Sequence, residues 1–356
     1  MAEPQFDEIN TATRKDILPS LVDNFFKNGP TIRFCKEKRM RTFKGGTGVQ
    51  ENLLYKPMVG GSYARGGKFN ITRRQTKTGL FFTMKTYYVN VSEHIEDLEI
   101  EMRTPEAVFD QVKVDMANAA LTLSAILEIA IWRHGQTAGV VDPRPNDIGG
   151  FAEALTDGAN PAWDGNTFPT YGGQSRVDGV IGNALNSPVG LIPADQAGGN
   201  IVNRTLEHSY QSCVLGEDHP VIGVTSNRGM GFINENYQGQ QRLVDTVEPT
   251  IGWPGLKFKQ ATLLESQYFP SQDGVNDPDL GNYLSTSEML AWLNPGGEGE
   301  DAYFRLHMSA SPKFQFGFTG FKVAQDSTMV AGQILAGVQF SVRAPRLMRI
   351  VFGWQG

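Results

Sequence analysis

A long, glycine-tipped stretch of β-type sequence near the start of the chain is the feature that most limits the possible folds. The glycine-rich segment Val59–Gly67 precedes the run LFFTMKTYYVNV at 80–91. This run is about twice the usual strand length of ~5–6 residues and has no obvious breaker. With the sequence before the glycines, it predicts an extended β-hairpin. Because an isolated hairpin is only marginally stable in water, we expect this one to be supported by another subunit.

Charge is strongly segregated along the chain. From Thr31 to Asn90 there are thirteen lysines and arginines against two acids, Glu37 and Glu51, a balance of +11. The whole chain has 32 basic and 38 acidic residues, so 19 and 36 remain elsewhere, a balance of −17. Acidic residues follow the basic segment directly, at Glu93, Glu96, Asp97, Glu99, Glu101, Glu106, Asp110 and Asp115.

Three interpretations of the basic segment remain open from charge alone. It binds nucleic acid, it is an ordinary solvated surface, or it lies across the acidic surface of a neighbouring copy, where complementary potentials set register and speed association. The third interpretation predicts these inter-subunit contacts: Arg65, Lys68, Arg73, Arg74, Lys77, Phe81, Phe82, Glu93, Glu96, Asp97, Glu99, Glu101 and Asp110. Burial of the aromatic side chains, Tyr87 and Tyr88 included, is expected to contribute more affinity than surface ion pairs of ~0–1 kcal/mol each.

The clearest single element is a helix from Thr104 to His134. Thr104 is a suitable N-cap with Pro105 at the first helical position. Apolar residues then recur every three or four positions, and Gly135 suits the residue after the helix. At 1.5 Å per residue the helix would be about 45 Å long.

The other segments predict shorter elements. Residues 7–27 indicate a short helical arm, and Thr31–Phe43 a basic strand-like stretch in which Ile32 and Phe34 alternate with Arg33 and Cys35. Further along, the sequence predicts a second helix at 203–215, short strands within 219–269 and a strand-rich part at 314–352. Forty glycines and nineteen prolines agree with many turns and long loops. A chain of 356 residues is expected to form two subdomains plus extensions.

The sequence carries no recognisable targeting signal. The N-terminal MAEPQFDEIN lacks the features of a signal peptide, and we expect no membrane-spanning segment because no apolar run approaches the ~20 residues that one needs. Cys35 and Cys213 are far apart and have no CxxC spacing. We interpret both as buried thiols rather than as a disulfide.

Motifs of catalysis, cofactor binding or metal binding are not found. The histidines His94, His134, His208, His219 and His307 have no metal-ligand spacing, and GxSxG, Walker A and dinucleotide-binding motifs are missing. The acidic loop at 273–279 departs from the calcium-binding EF-hand pattern. No catalytic, cofactor or metal site is therefore predicted, and the sequence favours a structural protein over an enzyme.

The order of these elements resembles that of the major capsid proteins of tailed bacteriophages, which have the Hong Kong 97-like fold. Three sequence segments are similar to that family: TMKTYYVNVSEHIEDLEIEM leading into TPEAVFDQ, GWPGLKFKQATLLES before an extended loop, and MVAGQILAGVQFSVRAPRLMRIVFG. The likeness covers nearly the whole chain. It lies in the order of the elements and in these local sequence segments.

The resemblance implies an α+β fold with an N-terminal arm, an extended β-hairpin loop, a peripheral domain with a long spine helix, and an axial domain. The implied ranges are 1–43 for the arm, 44–90 for the loop, 91–140 for the peripheral domain with its helix at 104–134, 141–299 for the axial domain, 300–338 for return strands of the peripheral domain, and 339–356 for a final strand in the axial domain.

The implied function is self-assembly, through hexamers and pentamers, into an icosahedral head around double-stranded DNA that is contacted non-specifically. The implied location is the virion, assembled in the host bacterial cytoplasm. A portal protein, a separate scaffolding protein and a decoration protein are implied partners. We predict no large maturation cleavage, because the arm starts almost at Met1, and no crosslink is assigned to Lys56, Lys68 or Lys77.

Two alternatives stay open. The same fold builds encapsulin compartments, which enclose enzymes instead of genomes. A β-rich hydrolase or carbohydrate-binding domain would instead be a monomer with a deep pocket of convergent polar groups.

Overall fold

A computed structural model describes most of the chain. The described residues are 30–36, 39–95, 105–136, 140–188, 190–191, 203–238, 256–323 and 328–354. The α-helices in these ranges are α1 Pro30–Lys36, α2 Pro105–Trp132, α3 Phe151–Ala154, α4 Gly182–Leu185, α5 Asn203–Gln211 and α6 Asn227–Gln238. Short 3₁₀ helices lie at Gly299–Asp301, Pro312–Phe314 and Pro345–Leu347. The helical arm predicted at 7–27 falls outside the described residues.

A first six-stranded sheet is organised around one long strand. Its members are β1 Met40–Phe43, β4 Lys85–His94, β14 Phe304–Ser309, β15 Gln315–Phe318, β16 Lys322–Val323 and β17 Met329–Val342. Strand β17 pairs antiparallel with β4, β14, β15 and β16, and β1 pairs parallel with β14.

The members of a second six-stranded sheet are β7 Gly190–Leu191, β8 Ile222–Thr225, β9 Leu256–Phe258, β10 Ala261–Glu265, β13 Glu288–Leu293 and β18 Arg349–Trp354. Their order in the sheet is β7-β18-β13-β8-β10-β9. Three two-stranded ribbons complete the described strands: β2 Val49–Leu54 with β3 Lys77–Phe82, β5 Thr170–Tyr171 with β6 Gln174–Ser175, and β11 Asn276–Asp277 with β12 Gly281–Asn282.

Helix α2 agrees closely with its prediction, although Thr104 lies outside the described residues. Its segment Val112–Trp132 is long and apolar enough to cross a membrane by length and composition, so the expectation that no such run exists is wrong. Most of that segment is buried inside the protein. At its end, the Trp132 ring lies 4.8 Å from that of Phe151 and 4.6 Å from that of Phe269, centroid to centroid. Core packing therefore accounts for its apolar character.

The single long strand predicted at 80–91 is two strands. Strand β3 ends at Phe82 and pairs with β2, whereas β4 begins at Lys85 and pairs with β17 along its whole length. Between them the Thr83 carbonyl accepts a hydrogen bond of 2.7 Å from Gln339 Nε2. The predicted hairpin exists, but its second arm ends at this break.

The strand predicted from Thr31 to Phe43 is wrong in its first half, because Pro30–Lys36 is the helix α1. Ile32 and Cys35 are fully buried, one helical turn apart. Proline is well suited to the first helical position because its missing N–H is not needed there. An alternation of four residues is too short to exclude a helix.

A buried carboxylate of α2 holds the start of α1. Glu128 is fully buried and accepts hydrogen bonds from the backbone N–H groups of Thr31, at 3.3 Å, and Ile32, at 3.0 Å. These are two of the N–H groups that a helix start leaves without an intrahelical partner. Burial raises the pKa of Glu128 above its ordinary value of 4.5. The position of α1 thus depends on a residue about a hundred positions further along the chain.

A second buried acid fixes the base of the hairpin. Glu51 on β2 is 3% exposed, and Arg305 Nη1 and Arg343 Nε lie 3.2 Å and 3.4 Å from its carboxylate oxygens. His307 is near the same carboxylate, but burial lowers its pKa to about 4, so it is neutral at pH 7. Glu51 is therefore balanced by two guanidinium groups, one from β14 and one beyond the end of β17.

Both cysteines are buried and unpaired, which confirms the prediction of thiols. Burial raises the pKa of Cys213 to about 12, so its thiolate is scarce at neutral pH. The second predicted helix is confirmed as α5, over the first part of its range.

Replacing Glu128 with Gln is expected to change how stability depends on pH. Because the folded state holds the Glu128 proton more tightly than the unfolded chain, this group lowers the free energy of unfolding as the pH rises from about 4.5 through the raised pKa. Urea unfolding at several pH values should show a smaller decline for Glu128→Gln than for the wild type. The exposed-site variant Glu217→Gln should follow the wild type, and parallel curves for all three proteins would contradict the assignment.

Replacing Glu51 with Gln is expected to destabilise the chain by about 3 kcal/mol, because it leaves the buried Arg305 guanidinium without its carboxylate. The control Glu300→Gln changes an exposed side chain by the same chemistry and should stay within about 0.5 kcal/mol of the wild type. Urea denaturation monitored by tryptophan fluorescence measures both values. Equal stabilities for the two variants would show that the buried ion pair is energetically unimportant.

Candidate assembly surfaces

The base of the β2–β3 hairpin is fastened to the body of the protein. Along β2, buried and exposed residues alternate, with Val49 and Leu53 facing inward on either side of Glu51. The Phe81 N–H donates a 2.9 Å hydrogen bond to the carbonyl of Gly172. Gly172 has φ +54°, and a Cβ there would lie 2.8 Å from Leu80 Cβ, so glycine permits this close approach. The base is therefore a packed part of the core.

Beyond the base, residues 55–76 form the hairpin tip, which is largely exposed: every residue from 60 to 75 is exposed to solvent. The tip carries large apolar side chains on its surface, with exposed fractions of 79% for Met58, 66% for Tyr63, 68% for Phe69 and 93% for Ile71. The Tyr63 and Phe69 rings contact each other with centroids 4.8 Å apart. Exposed apolar groups so close together are typical of a surface that binds a partner.

The charges of the tip are all positive. Its cations are Lys56, Arg65, Lys68, Arg73 and Arg74, and no acidic residue occurs between Asn52 and Ser92. A partner for the tip must therefore offer apolar surface together with negative charge.

A surface that matches this description lies between α2 and β4. This open groove, the α2–β4 groove, has a volume of about 750 Å³ and is lined by β4 residues 86–93, one side of α2, residues 144, 146 and 147, and residues 278–281. The acids in its lining are Glu93, Asp115, Asp147 and Asp279, against two bases, Arg133 and Arg144. The groove also presents apolar side chains, including Ile126 and Leu280.

The predicted contact residues fall into separate places. Arg65, Lys68, Arg73 and Arg74 are exposed on the tip, Lys77 is exposed at the start of β3, and the Phe81 side chain is 51% exposed. Glu93 lines the groove. Glu96, Asp97, Glu99 and Glu101 lie outside the described residues, and for Asp110 the structure describes the helical backbone without the side chain.

Two of the aromatic residues expected to bind a neighbour instead belong to the subunit's own core. Phe82 is 5% exposed and packs edge-on against the Tyr171 ring, with centroids 5.3 Å apart. Tyr87 is 8% exposed, and its hydroxyl accepts a hydrogen bond from the Ile148 N–H. Phe82 and Tyr87 therefore have to be removed from the predicted contact set, whereas Tyr88, 64% exposed, is available.

The apolar residues of the tip and two groove acids, Asp147 and Asp279, are not among the contact residues predicted from the sequence. A signal for the tip was available, since Met58, Phe69 and Ile71 occur among glycines and basic residues without the periodicity of a core element. The two acids lie far from Glu93 in sequence, and their position in the groove follows from tertiary structure.

The carboxylates of the acidic loop at 273–279 are engaged in internal contacts. Asp273 pairs with Arg228 at 2.7 Å, and Asp277 accepts hydrogen bonds from the N–H groups of Asp279 and Leu280. Within the described ranges, no group of three or more histidine, cysteine or acidic side chains is arranged to hold a metal ion.

Comparison with known proteins gives matches among solved structures. No protein-family model and no curated protein sequence matches the chain. The capsid of cyanophage A-1(L) is similar with a TM-score of 0.62 and 13% identity, over 92% of this chain and 93% of that one. The capsid of a native GTA particle has a TM-score of 0.56 and 10% identity, over 90% and 89% of the two chains.

An encapsulin is also similar. The SrpI encapsulin of Synechococcus elongatus PCC 7942 has a TM-score of 0.54 and 9% identity, over 91% of this chain and 87% of that one. Identities this low establish the fold alone. The predicted α+β class is confirmed: the chain has the Hong Kong 97-like capsid fold.

Proposed function

We propose that this chain is the major capsid protein of a tailed bacteriophage, which self-assembles into the icosahedral head around the double-stranded DNA genome. The observation that carries the proposal is the similarity to phage and GTA capsid subunits over about nine-tenths of both chains. The exposed apolar and cationic tip supports it, because such a surface is unfavourable in a free monomer and useful in a lattice.

The proposed mode of assembly is that the tip of one copy docks in the α2–β4 groove of another. The cations of the tip meet the excess of acids in the groove, which favours one docking orientation. Burying a large apolar side chain contributes roughly 1.5–3 kcal/mol, whereas an exposed ion pair contributes about 0–1 kcal/mol. Affinity would therefore come mainly from side chains such as Phe69 and Ile71, and orientation from the charges.

Weak individual contacts between subunits suit a growing shell. Each tip–groove contact is weak enough to break, so a misplaced subunit can leave. Once many copies have assembled, each subunit is held by several contacts at the same time, and the contacts reinforce one another.

Each region of the chain has a role in the proposed capsid subunit. Residues 1–43 would be the arm, 44–90 the extended loop, 91–140 and 300–338 the peripheral domain, and 141–299 with 339–356 the axial domain. Hexamers and pentamers of this chain would form the shell with a portal protein, a separate scaffolding protein and, in some heads, a decoration protein. The shell would assemble in the host cytoplasm and contact packaged DNA without sequence specificity.

The alternative of an encapsulin-type compartment is supported by the SrpI similarity. The two functions differ in what the shell encloses. Shells isolated from cells that also express the neighbouring genes should contain nuclease-protected double-stranded DNA of uniform length if the chain is a phage capsid protein. Shells that contain a single protein cargo and no protected DNA would replace the phage assignment with the compartment.

Reversing the charge of the tip is expected to block assembly without unfolding the subunit. In the double variant Arg73→Glu/Arg74→Glu, negative tips would face the acidic groove, so negative-stain electron microscopy should show no closed shells. Both side chains are exposed, so the circular dichroism spectrum and the melting temperature should remain those of the wild type. The variant Lys313→Glu/Lys322→Glu makes the same charge change at exposed positions outside the tip and should still form shells.

Complementation tests the groove separately. The variant Glu93→Lys/Asp115→Lys reverses two groove charges and is also expected to stop assembly. A chain that combines the tip variant with the groove variant should again form shells, at least partly, because opposite charges face each other again. Intact shells from the tip variant alone would overturn tip docking, and failure of the combined variant would place the partner of the tip elsewhere.

A further inference from the structure

One face of helix α2 changes from covered to exposed along its length. Glu128 lies on this face, under the start of α1, and Ser124, one turn earlier, is 1% exposed. At about 100° per residue, Val114, Ala117 and Leu121 lie within about 40° of the direction of Glu128. Val114 is 62% exposed, Leu121 is 48% exposed, and Ala117 is exposed as well. We call these three apolar residues the α2 stripe.

The α2 stripe is on a different side of the helix from the α2–β4 groove. The groove side of α2 carries Asp115, Asn118, Thr122 and Ile126. In helical register these residues lie about a quarter to a half of a turn around the axis from the stripe. Tip docking in the groove therefore leaves the stripe uncovered, and exposed apolar residues one turn apart on a helix are suited to binding a second helix.

The path of the chain brings one segment to the end of this stripe. Residues 1–29 precede α1 and lie outside the described residues. Because α1 begins beside Glu128, this segment joins the described part of the chain there. Leu121 and Val114 are about 10 Å and about 21 Å from Glu128 along the axis of α2, at 1.5 Å per residue. Residues 14–27, in helical conformation, would span the same length of about 21 Å.

The sequence of this segment predicts a helix with an apolar face. Four apolar residues recur at the three- and four-residue spacing of one helical face: Leu18, Leu21, Val22 and Phe25. Pro19 is suited to the first turn of a helix, where its missing N–H is not needed. Asn28 and Gly29 are typical turn residues, and they allow a helix that ends at Lys27 to fold back along α2.

The charges at the far end of the stripe agree with this placement. In the helical register of α2, Asp110 is the next residue along the line of the stripe. A segment that follows the stripe brings Arg14 and Lys15 to this acidic end. Asp16 comes next in the segment, and Lys113 is exposed beside the stripe. Opposite charges at these positions favour one direction of the segment along α2.

We propose that residues 14–27 form a helix that packs on the α2 stripe of the same chain. The apolar face of this helix would cover Val114, Ala117 and Leu121, and the groove on the other side of α2 would stay open to the tip of a neighbouring copy. The proposal concerns the folded subunit by itself and does not depend on its function as a capsid protein.

An engineered disulfide in the full-length protein tests the contact. In the variant Leu18→Cys/Ala117→Cys, mild oxidation should give an intramolecular disulfide, seen as a monomer band that migrates faster without reductant. The native thiols Cys35 and Cys213 are buried and should stay reduced. The control Leu18→Cys/Leu54→Cys places the second thiol on the exposed hairpin and should give no such band. Disulfide-linked dimers would place the segment on a neighbouring copy, and they, or the lack of any crosslink, would overturn the proposal.

Hydrogen–deuterium exchange measured by mass spectrometry tests the same contact without new thiols. Leu121→Glu places a carboxylate in the stripe, so the amides of residues 19–27 should exchange at least about tenfold faster than in the wild type. Leu54→Glu makes the same change at a leucine that is 66% exposed on the hairpin, and should leave this exchange unchanged.

Leu121 is itself 48% exposed, so Leu121→Glu should keep the circular dichroism spectrum of the wild type. Equal exchange of residues 19–27 in this variant and in the wild type would contradict the proposal. Unprotected exchange of the same amides in the wild type would also contradict it, and would leave the stripe to a helix of another protein.

Discussion

The pairing of strand β17 is the constraint on which the other parts of the molecule depend. Its fourteen residues pair with four strands, and β4 follows it through ten consecutive register positions. From Ala336 to Val342 every residue is buried, whereas buried and more accessible residues alternate before that. The C-terminal half of β17 is thus buried on both of its faces, whereas its N-terminal half is buried on one face only. Helix α2 packs against β4, so both walls of the α2–β4 groove are positioned through β17.

Two buried acids then attach distant segments to this framework by different means. Glu51 is paired with guanidinium groups and ties the hairpin to β14, 254 positions away, while Glu128 accepts backbone N–H groups and ties α1 to α2, 96 positions away. A buried carboxylate is tolerated when paired or hydrogen-bonded, and removing its partners is costly. The base of the hairpin is consequently fixed, while its tip, which has no such anchor among the described residues, presents cations and apolar groups to solvent. A subunit that binds its neighbour through a hairpin needs that hairpin to have a fixed base and an exposed tip.

The sequence predicted what depends on local pattern and missed what depends on distant residues. The apolar period of helix α2 continues over many turns, and the arms of the hairpin flank a glycine-rich tip, so both elements are predictable from the sequence. Helix α1 has a strand-like pattern in the sequence, and its first N–H groups depend on Glu128, far along the chain, for their hydrogen-bond acceptor. The break between β3 and β4 depends on Gln339 and on pairing with two different partners. Of the predicted site, the cations of the tip were identifiable from charge, whereas the burial of Phe82 against Tyr171 and the assembly of the groove acids were tertiary outcomes.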